Sequence, residues 1–380
     1  MTPGARAAAA IACLDEIAAG APAEVVLTRW GRGARYAGSG DRAAVRDMVY
    51  DVLRRWRSTA ARGGGETGRA RLIGLLRQDG QDPDRLFDGT GHAPPPLSEA
   101  ERSAGREPTG AEALDWPDWL VGEAGDGWEE IAEALRHRAP VHVRVNEART
   151  TRADLRATLA REGIVARDHP EVSTALELTD GARKFRNSTA FRDGLAELQD
   201  AQSQALAHAV PVWPGATVLD YCAGGGGKAL ALAARAPSAR ITAHDIDARR
   251  MADLPARAAR AGARIDVAPP RGDLGPHDVV LCDAPCSGSG SWRRDPEGKW
   301  RLTPARLAEL CDLQVEILAT AAGLARTHLV YATCSVLPAE NEGTVSRALA
   351  RLPGWHLAET RTWRPGPLGD GFFLARFEKD

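Results

Sequence analysis

The sequence predicts an α/β protein: a doubly wound, mostly parallel sheet in the C-terminal half, preceded by an all-helical module and a small α/β unit. Three observations carry this. From about residue 196, short apolar strands alternate with helices, the pattern of a parallel sheet wrapped by crossovers. Residues 5–80 carry a helical period only. Two Cys-bearing motifs, Asp283-Ala284-Pro285-Cys286 and Tyr331-Ala332-Thr333-Cys334-Ser335, each follow a short apolar run that reads as a buried strand.

At 380 residues the chain has room for two or three domains. The patterns place them at 1–80, 140–195 and 196–380, with a linker and connecting helices over 81–139. The start, MTPGARAAAAIACLDEIAAG, carries Asp15 and Glu16 behind its apolar stretch and lacks a secretory cleavage pattern, so it reads as an ordinary helix. Over 42–57, Val45, Met48, Val49, Val52, Leu53 and Trp56 follow the i, i+3, i+4, i+7 rule, with Asp41 as the expected N-cap. The Pro/Gly/Ser-rich stretch 89–110 breaks this pattern. Helix resumes over 115–139, with Trp119, Trp128 and Leu135 expected in the core. Strands at 141–146, 163–167 and 174–178 and a helix at 151–161 make the small α/β unit. The last region shows strands at 217–221, 241–244, 264–267, 278–282, 328–332 and near 354–358 and 372–377. Helices at 228–235, 247–261, 303–324 and 338–350 lie between them.

The net charge of −2 argues against uniform binding to a polyanion, but its distribution is uneven. Residues 29–80 hold twelve Arg against five acids; residues 81–135 hold fourteen acids against three Arg. A basic helical module before an acidic connector suits a nucleic-acid footprint. A chain with 45 Arg and four Lys also shows such swings without function. Arg29, Arg32, Arg42, Arg46, Arg54 and Arg55 are the candidates for phosphate contacts. The six scattered cysteines form no disulfide framework, and no apolar run is long enough to span a bilayer. A reducing cytoplasm, no membrane partner and a monomer are expected.

After the first strand of the sheet comes Asp220-Tyr221-Cys222-Ala223-Gly224-Gly225-Gly226-Gly227-Lys228. Glycines at a strand-to-helix turn let backbone approach a ligand and aim amide donors at it. A phosphate-binding loop needs G-x-x-x-x-G-K-[ST], which fails at Cys222 and Ala229. A dinucleotide fingerprint needs G-x-G-x-x-G, which fails because the glycines stop at 227. S-adenosylmethionine remains, its amino-acid end suited to a Gly-rich loop with an acid nearby. Asp245, about 20 residues on at the end of the next strand, can accept both ribose hydroxyls.

If the strands before Cys286 and Cys334 are parallel neighbours, their ends lie roughly 5 Å apart. Both thiols then share a crevice at the carboxyl edge of the sheet, where α/β folds bind ligands. This suits covalent chemistry on an electrophilic ring. A lone Cys is usually a small buried hydrophobe, and Cys13, Cys282 and Cys311 read that way. Cys222 contributes backbone to the cofactor loop. No C-x-x-C or Cys/His spacing supports a metal.

These motifs resemble the Nop/Sun family of RNA cytosine-5 methyltransferases. In the loop, Asp220, Cys222, Ala223, Gly226, Gly227 and Lys228 match the family's D-x-C-A-A-P-G-G-K, while Gly224 and Gly225 replace Ala and Pro. Losing the Pro should loosen the loop and weaken cofactor affinity slightly. Asp245 and Arg250 match its D-x-x-x-x-R. The segments after Cys286, through Arg293-Arg294-Asp295-Pro296-Glu297-Gly298-Lys299-Trp300, and Asn341-Glu342 after Cys334 fall in family order. So do Phe191, Gly194, Gln199-Asp200-Ala201-Gln202-Ser203 and Asp370-Gly371-Phe372-Phe373. At the front, Ala5–Ala9 and Gly38–Val45 with Val49-Tyr50 resemble a NusB-like helical domain. Arg144-Val145-Asn146 resembles the opening of an RRM-like module. The likeness is weakest over 60–135.

The resemblance implies a class I Rossmann-like methyltransferase domain that uses S-adenosylmethionine. It implies Cys334 as the nucleophile that adds to cytosine C6, and Cys286 as the residue assisting breakdown of that adduct. Asp283 would hold the base edge beside the methionine end of the cofactor, with Lys228 orienting Asp283 or polarising the base. The cofactor-binding set is Cys222 to Lys228, Asp245, Arg250 and Asp283, with Asp273 a candidate for the adenine. The substrate implied is a structured RNA with the target base flipped out. The NusB-like front favours 16S ribosomal RNA over transfer RNA.

Overall fold

The computed structural model describes residues 1–380. They form two units, Met1–Arg138 with Trp292–Arg301, and Ala139–Ser291 with Leu302–Asp380. The expected 196–380 domain is therefore not one run of chain, because Trp292–Arg301 belongs to the helical unit.

The helical unit opens with α1 (Pro3–Ala18), α2 (Ala23–Gly33), α3 (Ser39–Arg54), α4 (Trp56–Gly63) and α5 (Gly68–Gln78). Short α6 (Glu99–Ser103) and α7 (Gly110–Ala113) and then α8 (Trp128–Leu135) follow. The stripe Val45, Val49, Val52 and Leu53 of α3 packs into one apolar cluster with Leu14, Val26, Leu72 and Ile73. The periodicity located this face correctly but not its ends. The N-cap is Gly38, and Asp41 sits at the third helical position, its carboxylate accepting the Gly38 N–H at 3.0 Å. That is the return arm of a capping box. Arg55 leaves helical geometry at φ −118°, ψ 39°, so α3 stops short of 57 and the chain turns into α4.

Two further expectations change here. Trp116, not Trp119, is the fully buried indole, with its ring 5.6 Å from Trp292. It follows an irregular turn at Asp115 (φ 53°), where no period marks it. Arg54 is no phosphate contact. It is buried, and its Nε donates to the Arg293 carbonyl at 2.7 Å. A helix-surface reading cannot anticipate a partner so far along the chain. Arg29, Arg46 and Arg55 pair with Glu16, Glu24 and Asp79, and Arg42 donates to the Ala34 carbonyl.

The second unit begins with β1 (His142–Val145), α9 (Arg152–Arg161), β2 (Val165–Asp168), β3 (Ala175–Asp180), α10 (Thr189–Arg192) and β4 (Ala196–Leu198). These strands form an antiparallel sheet in the order β2-β3-β1-β4. β4 pairs with β1, Val143 opposite Leu198, so this module runs past the expected boundary at 195.

Then come α11 (Ala201–Ala209), β5 (Thr217–Asp220), α12 (Gly227–Arg235), β6 (Arg240–Ala243), α13 (Leu254–Ala261), β7 (Ile265–Val267) and β8 (His277–Asp283). After α14 (Pro296–Arg301), which belongs to the helical unit, follow α15 (Pro304–Ala322), β9 (Ala325–Thr333), α16 (Glu342–Leu349), β10 (Trp355–Trp363) and β11 (Phe372–Lys379). The sheet order is β10-β11-β9-β8-β5-β6-β7, parallel except where β11 pairs with its neighbours. Val218, Leu281, Val330 and Leu374 fill the core on one face. Leu219, Val280, Leu329 and Phe373 fill it on the other. Burial on both faces explains why these strands read as unbroken apolar runs. The strand order reverses between β5 and β8, and a doubly wound sheet opens its crevice at such a point.

Candidate active site

β8 and β9 pair in parallel with Asp283 opposite Ala332, so the chain beyond each strand enters the same space. Cys286 Sγ and Cys334 Sγ lie 3.4 Å apart, within hydrogen-bonding reach for sulfur. One bond acts oppositely on its two ends. Hydrogen bonding with Cys286 lowers the Cys334 thiol below its ordinary value, against the effect of burial. The same bond, reinforced by burial, holds the Cys286 proton in place and raises that thiol well above its ordinary value. Of the two thiols, Cys334 is the one whose surroundings favour the thiolate.

These thiols line a crevice of about 530 Å³ together with Gln199, the glycine loop, Lys228, Asp283 and Arg306. Lys228 is buried on α12, and its Nζ donates to Asp283 Oδ2 at 2.6 Å. Burial alone would depress this ammonium; Asp283 first, then Asp220 and Cys334, more than offset that and raise it. Asp220, fully enclosed at the end of β5, is pushed up to about 7 by burial and then by Asp283. Its Oδ2 accepts the Ala229 N–H at 3.1 Å, and its buried Oδ1 has no partner.

The loop itself is shaped for a ligand. Gly224 has φ +54° and Gly226 φ +76°, and a Cβ at 226 would meet Leu254 at 2.3 Å. Bare backbone is required here. With the Ala229 amide taken by Asp220, the amides of Gly225, Gly227 and Lys228 have no acceptor within the protein. Three free N–H groups at a helix start favour a carboxylate. Asp245, expected at the ribose, is buried and accepts from Gly224 N–H at 2.9 Å and Arg250 Nη1 at 3.1 Å. It therefore also braces the loop.

A second cavity, of about 480 Å³, shares Cys222, Arg250 and Pro285 with the first. Tyr221, His244, Ile246, Leu313 and Ile317 give it an apolar wall, and Asp273 lies on its rim. The Tyr221 and His244 rings stack at 5.0 Å. Such a wall suits a purine ring. The sequence reading missed these residues. One signal was available: Ile246, directly after the strand-end acid, is a large aliphatic that stands 75% exposed.

The family described as 16S rRNA methyltransferase RsmB/F matches residues 208–376, and the ferredoxin-like domain of the RsmF/B-like methyltransferases matches 116–183. The ribosomal RNA small subunit methyltransferase B of Klebsiella pneumoniae subsp. pneumoniae is 34% identical over 284 residues, 69% of this chain and 66% of that protein. The protein of the same name from Serratia proteamaculans is also 34% identical, with the same coverage. Among solved structures, PH0851 superposes over 100% of this chain and 99% of its own with a TM-score of 0.76 at 23% identity. NSun6 from Pyrococcus horikoshii with SFG covers 70% of this chain and 98% of its own with a TM-score of 0.61 at 18% identity. These structures share the fold.

Proposed function

The chain belongs to the RsmB/F methyltransferase family, and on that premise we propose that it methylates C5 of a cytosine in 16S ribosomal RNA with S-adenosylmethionine as donor. The observation that carries the reading is the Cys286–Cys334 pair at 3.4 Å in one crevice with the Lys228–Asp283 pair. The free amides of the glycine loop would hold the methionine carboxylate, Asp245 the ribose, and the Tyr221–His244 wall the adenine. When bound, the cofactor supplies an electrophilic methyl group.

Cytosine C5 is a poor nucleophile until C6 is attacked. The Cys334 thiolate adds to C6 and leaves C5 enamine-like, able to take the methyl. Asp283, fixed by Lys228, accepts from the exocyclic amine and holds the ring edge against the crevice wall. Afterwards the C5 proton passes to water in the crevice, its bonding electrons form the C5–C6 double bond, and the C6–S pair leaves on Cys334. Cys286 serves that elimination, because its S–H stabilises Cys334 as the departing thiolate. No helix is long and apolar enough to cross a membrane. With 16S RNA as its substrate, the enzyme is proposed to act in the cytoplasm, as a monomer.

Two variants and one sequencing experiment test this. Cys334→Ala should lower methyl transfer by on the order of 10³-fold or more and form no adduct. Cys286→Ala should accumulate an RNA-linked protein band, stable to denaturation, through Cys334. Bisulfite sequencing of total RNA with and without the gene should show one 16S cytosine losing protection. A lost transfer RNA site would keep the chemistry and replace the substrate. Methylation by Cys334→Ala would overturn the assignment of the nucleophile.

A further inference from the structure

Behind the two thiols lies a carboxylate that belongs to neither cysteine motif. Glu340, at the turn before α16, is 0% exposed. Its Oε1 accepts the Ser287 N–H at 2.7 Å and Gln314 Nε2 at 3.0 Å, and its Oε2 accepts both the Ser287 and Ser335 hydroxyls. Ser287 directly follows Cys286, and Ser335 directly follows Cys334. One buried side chain therefore ties down the residue after each thiol.

The surrounding bonds leave Glu340 no freedom of its own. The Tyr331 hydroxyl donates to its carbonyl at 2.6 Å. Gln314 on α15 also donates to the Pro285 carbonyl at 3.0 Å, and its own Oε1 accepts from Thr344. Four donors converge on a group that has none to give, so every lone-pair direction the site needs is filled. The Cys286 and Cys334 loops come from different strands and also touch directly, the Gly290 N–H donating to the Cys334 carbonyl at 2.9 Å and Ser289 Oγ lying 2.9 Å from Ser335 Oγ. Glu340 is the carboxylate that holds Ser287 and Ser335, the residues next to the thiols, at once. Glu340 also places a negative charge behind both thiols, and it contributes to raising Cys286.

We propose that Glu340 is the positioning residue that sets the separation of the Cys286–Cys334 pair. It acts through Ser287 and Ser335 and does not touch substrate. The proposal rests on the function argued above only for its kinetic consequence; the thiol geometry can be read without it.

The test uses the full chain with Glu340→Ala, which removes the clamp, and Glu340→Gln, which keeps its shape and removes its charge. One readout is the rate at which diamide links Cys286 to Cys334; both thiols lose their hydrogens to the reagent's N=N bond, and a 3.4 Å pair closes readily. Glu340→Ala should slow this at least tenfold or so and lower kcat for methyl transfer by roughly 10²-fold, with KM for RNA within about twofold. Glu340→Gln should keep disulfide formation within about threefold of wild type and move the pH midpoint of thiol alkylation downward, since a repelling charge is gone. If Glu340→Ala does not fold, as judged by its melting curve, the Ser287→Ala/Ser335→Ala double variant removes both hydroxyl donors and should show the same slowed closure. Wild-type closure and kcat in Glu340→Ala, or in the double variant, would overturn the proposal. Normal thiol behaviour in a wild-type chain that methylates no RNA would instead overturn the function and leave the clamp standing.

Discussion

Lys228 and Lys299 are both sealed inside the protein, 8% and 1% exposed, one in each unit. Their surroundings send them in opposite directions. Lys228 has a carboxylate at 2.6 Å and is raised above its ordinary value. Lys299 has only the Arg54 carbonyl at 3.5 Å and the Trp300 ring at 4.7 Å, and burial pushes it down to about 8 despite Asp115. Burial is common to both, so the partner decides whether the charge persists. In the crevice a fixed charge is needed to hold Asp283. In the helical unit the lysine fills space within a Trp-rich interior and carries its charge at a cost.

Removing the paired lysine should have the largest effect. Lys228→Met leaves Asp283 without its cation and leaves the enclosed Asp220, which water does not reach, without the nearby positive charge. Methyl transfer should fall by on the order of 10²–10³-fold, because Asp283 loses its orientation as well as its counter-charge. Chemical denaturation should show a loss of about 2 kcal/mol at pH 8, shrinking toward pH 5 as Asp220 takes up a proton. A variant that keeps wild-type turnover would remove Lys228 from the account of the site.

Why the crevice was readable and Lys299 was not follows from distance along the chain. The strands before both thiols contain short unbroken apolar runs, Val279–Leu281 and Leu329–Val330, because both sheet faces are covered, and each Cys lies just past such a run. Asp245 and the glycines stand at strand ends for the same reason. Glu340 escaped notice because its meaning depends on Ser287 and Gln314, which lie 53 and 26 residues away. Trp292–Arg301 falls inside the expected 196–380 domain, yet Trp292 and Lys299 complete the interior of the helical unit. The Asp41 and Arg55 boundaries show the usual limit of a period: it identifies a face, while caps and breaks depend on single residues.

Lys299→Met sharpens the comparison from the other side. Methionine has a similar length and no charge to bury. The unfolded chain holds a lysine proton up to about pH 10.4, whereas the folded chain releases it near 8. Between those values the unfolded state binds more protons, so wild-type stability should rise with pH across that window. Below about 8 the full cost of the buried ammonium is present. Lys299→Met should therefore be more stable than wild type at pH 7, by on the order of 1–3 kcal/mol, with the gap closing by pH 10. Urea titration followed by Trp fluorescence at the two pH values measures this. An equal gap at both would mean that packing, not charge, separates the two proteins.

The smallest effect on stability is expected where charge is solvated. Arg46 pairs with Glu24 at 2.6 Å, but the two side chains are 48% and 61% exposed. Water screens such a pair, and Arg46→Ala should change stability by less than about 0.5 kcal/mol. Its effect on RNA is a separate matter, because a solvated guanidinium is free to exchange a carboxylate for a phosphate. If the basic stretch of the helical unit touches the substrate backbone, the variant should bind 16S RNA a few-fold more weakly at low salt. The slope of log affinity against log salt should flatten by about one. An unchanged slope would mean that the excess of Arg over residues 29–80 serves the surface of the protein alone, and that recognition lies with the unit that carries the thiols.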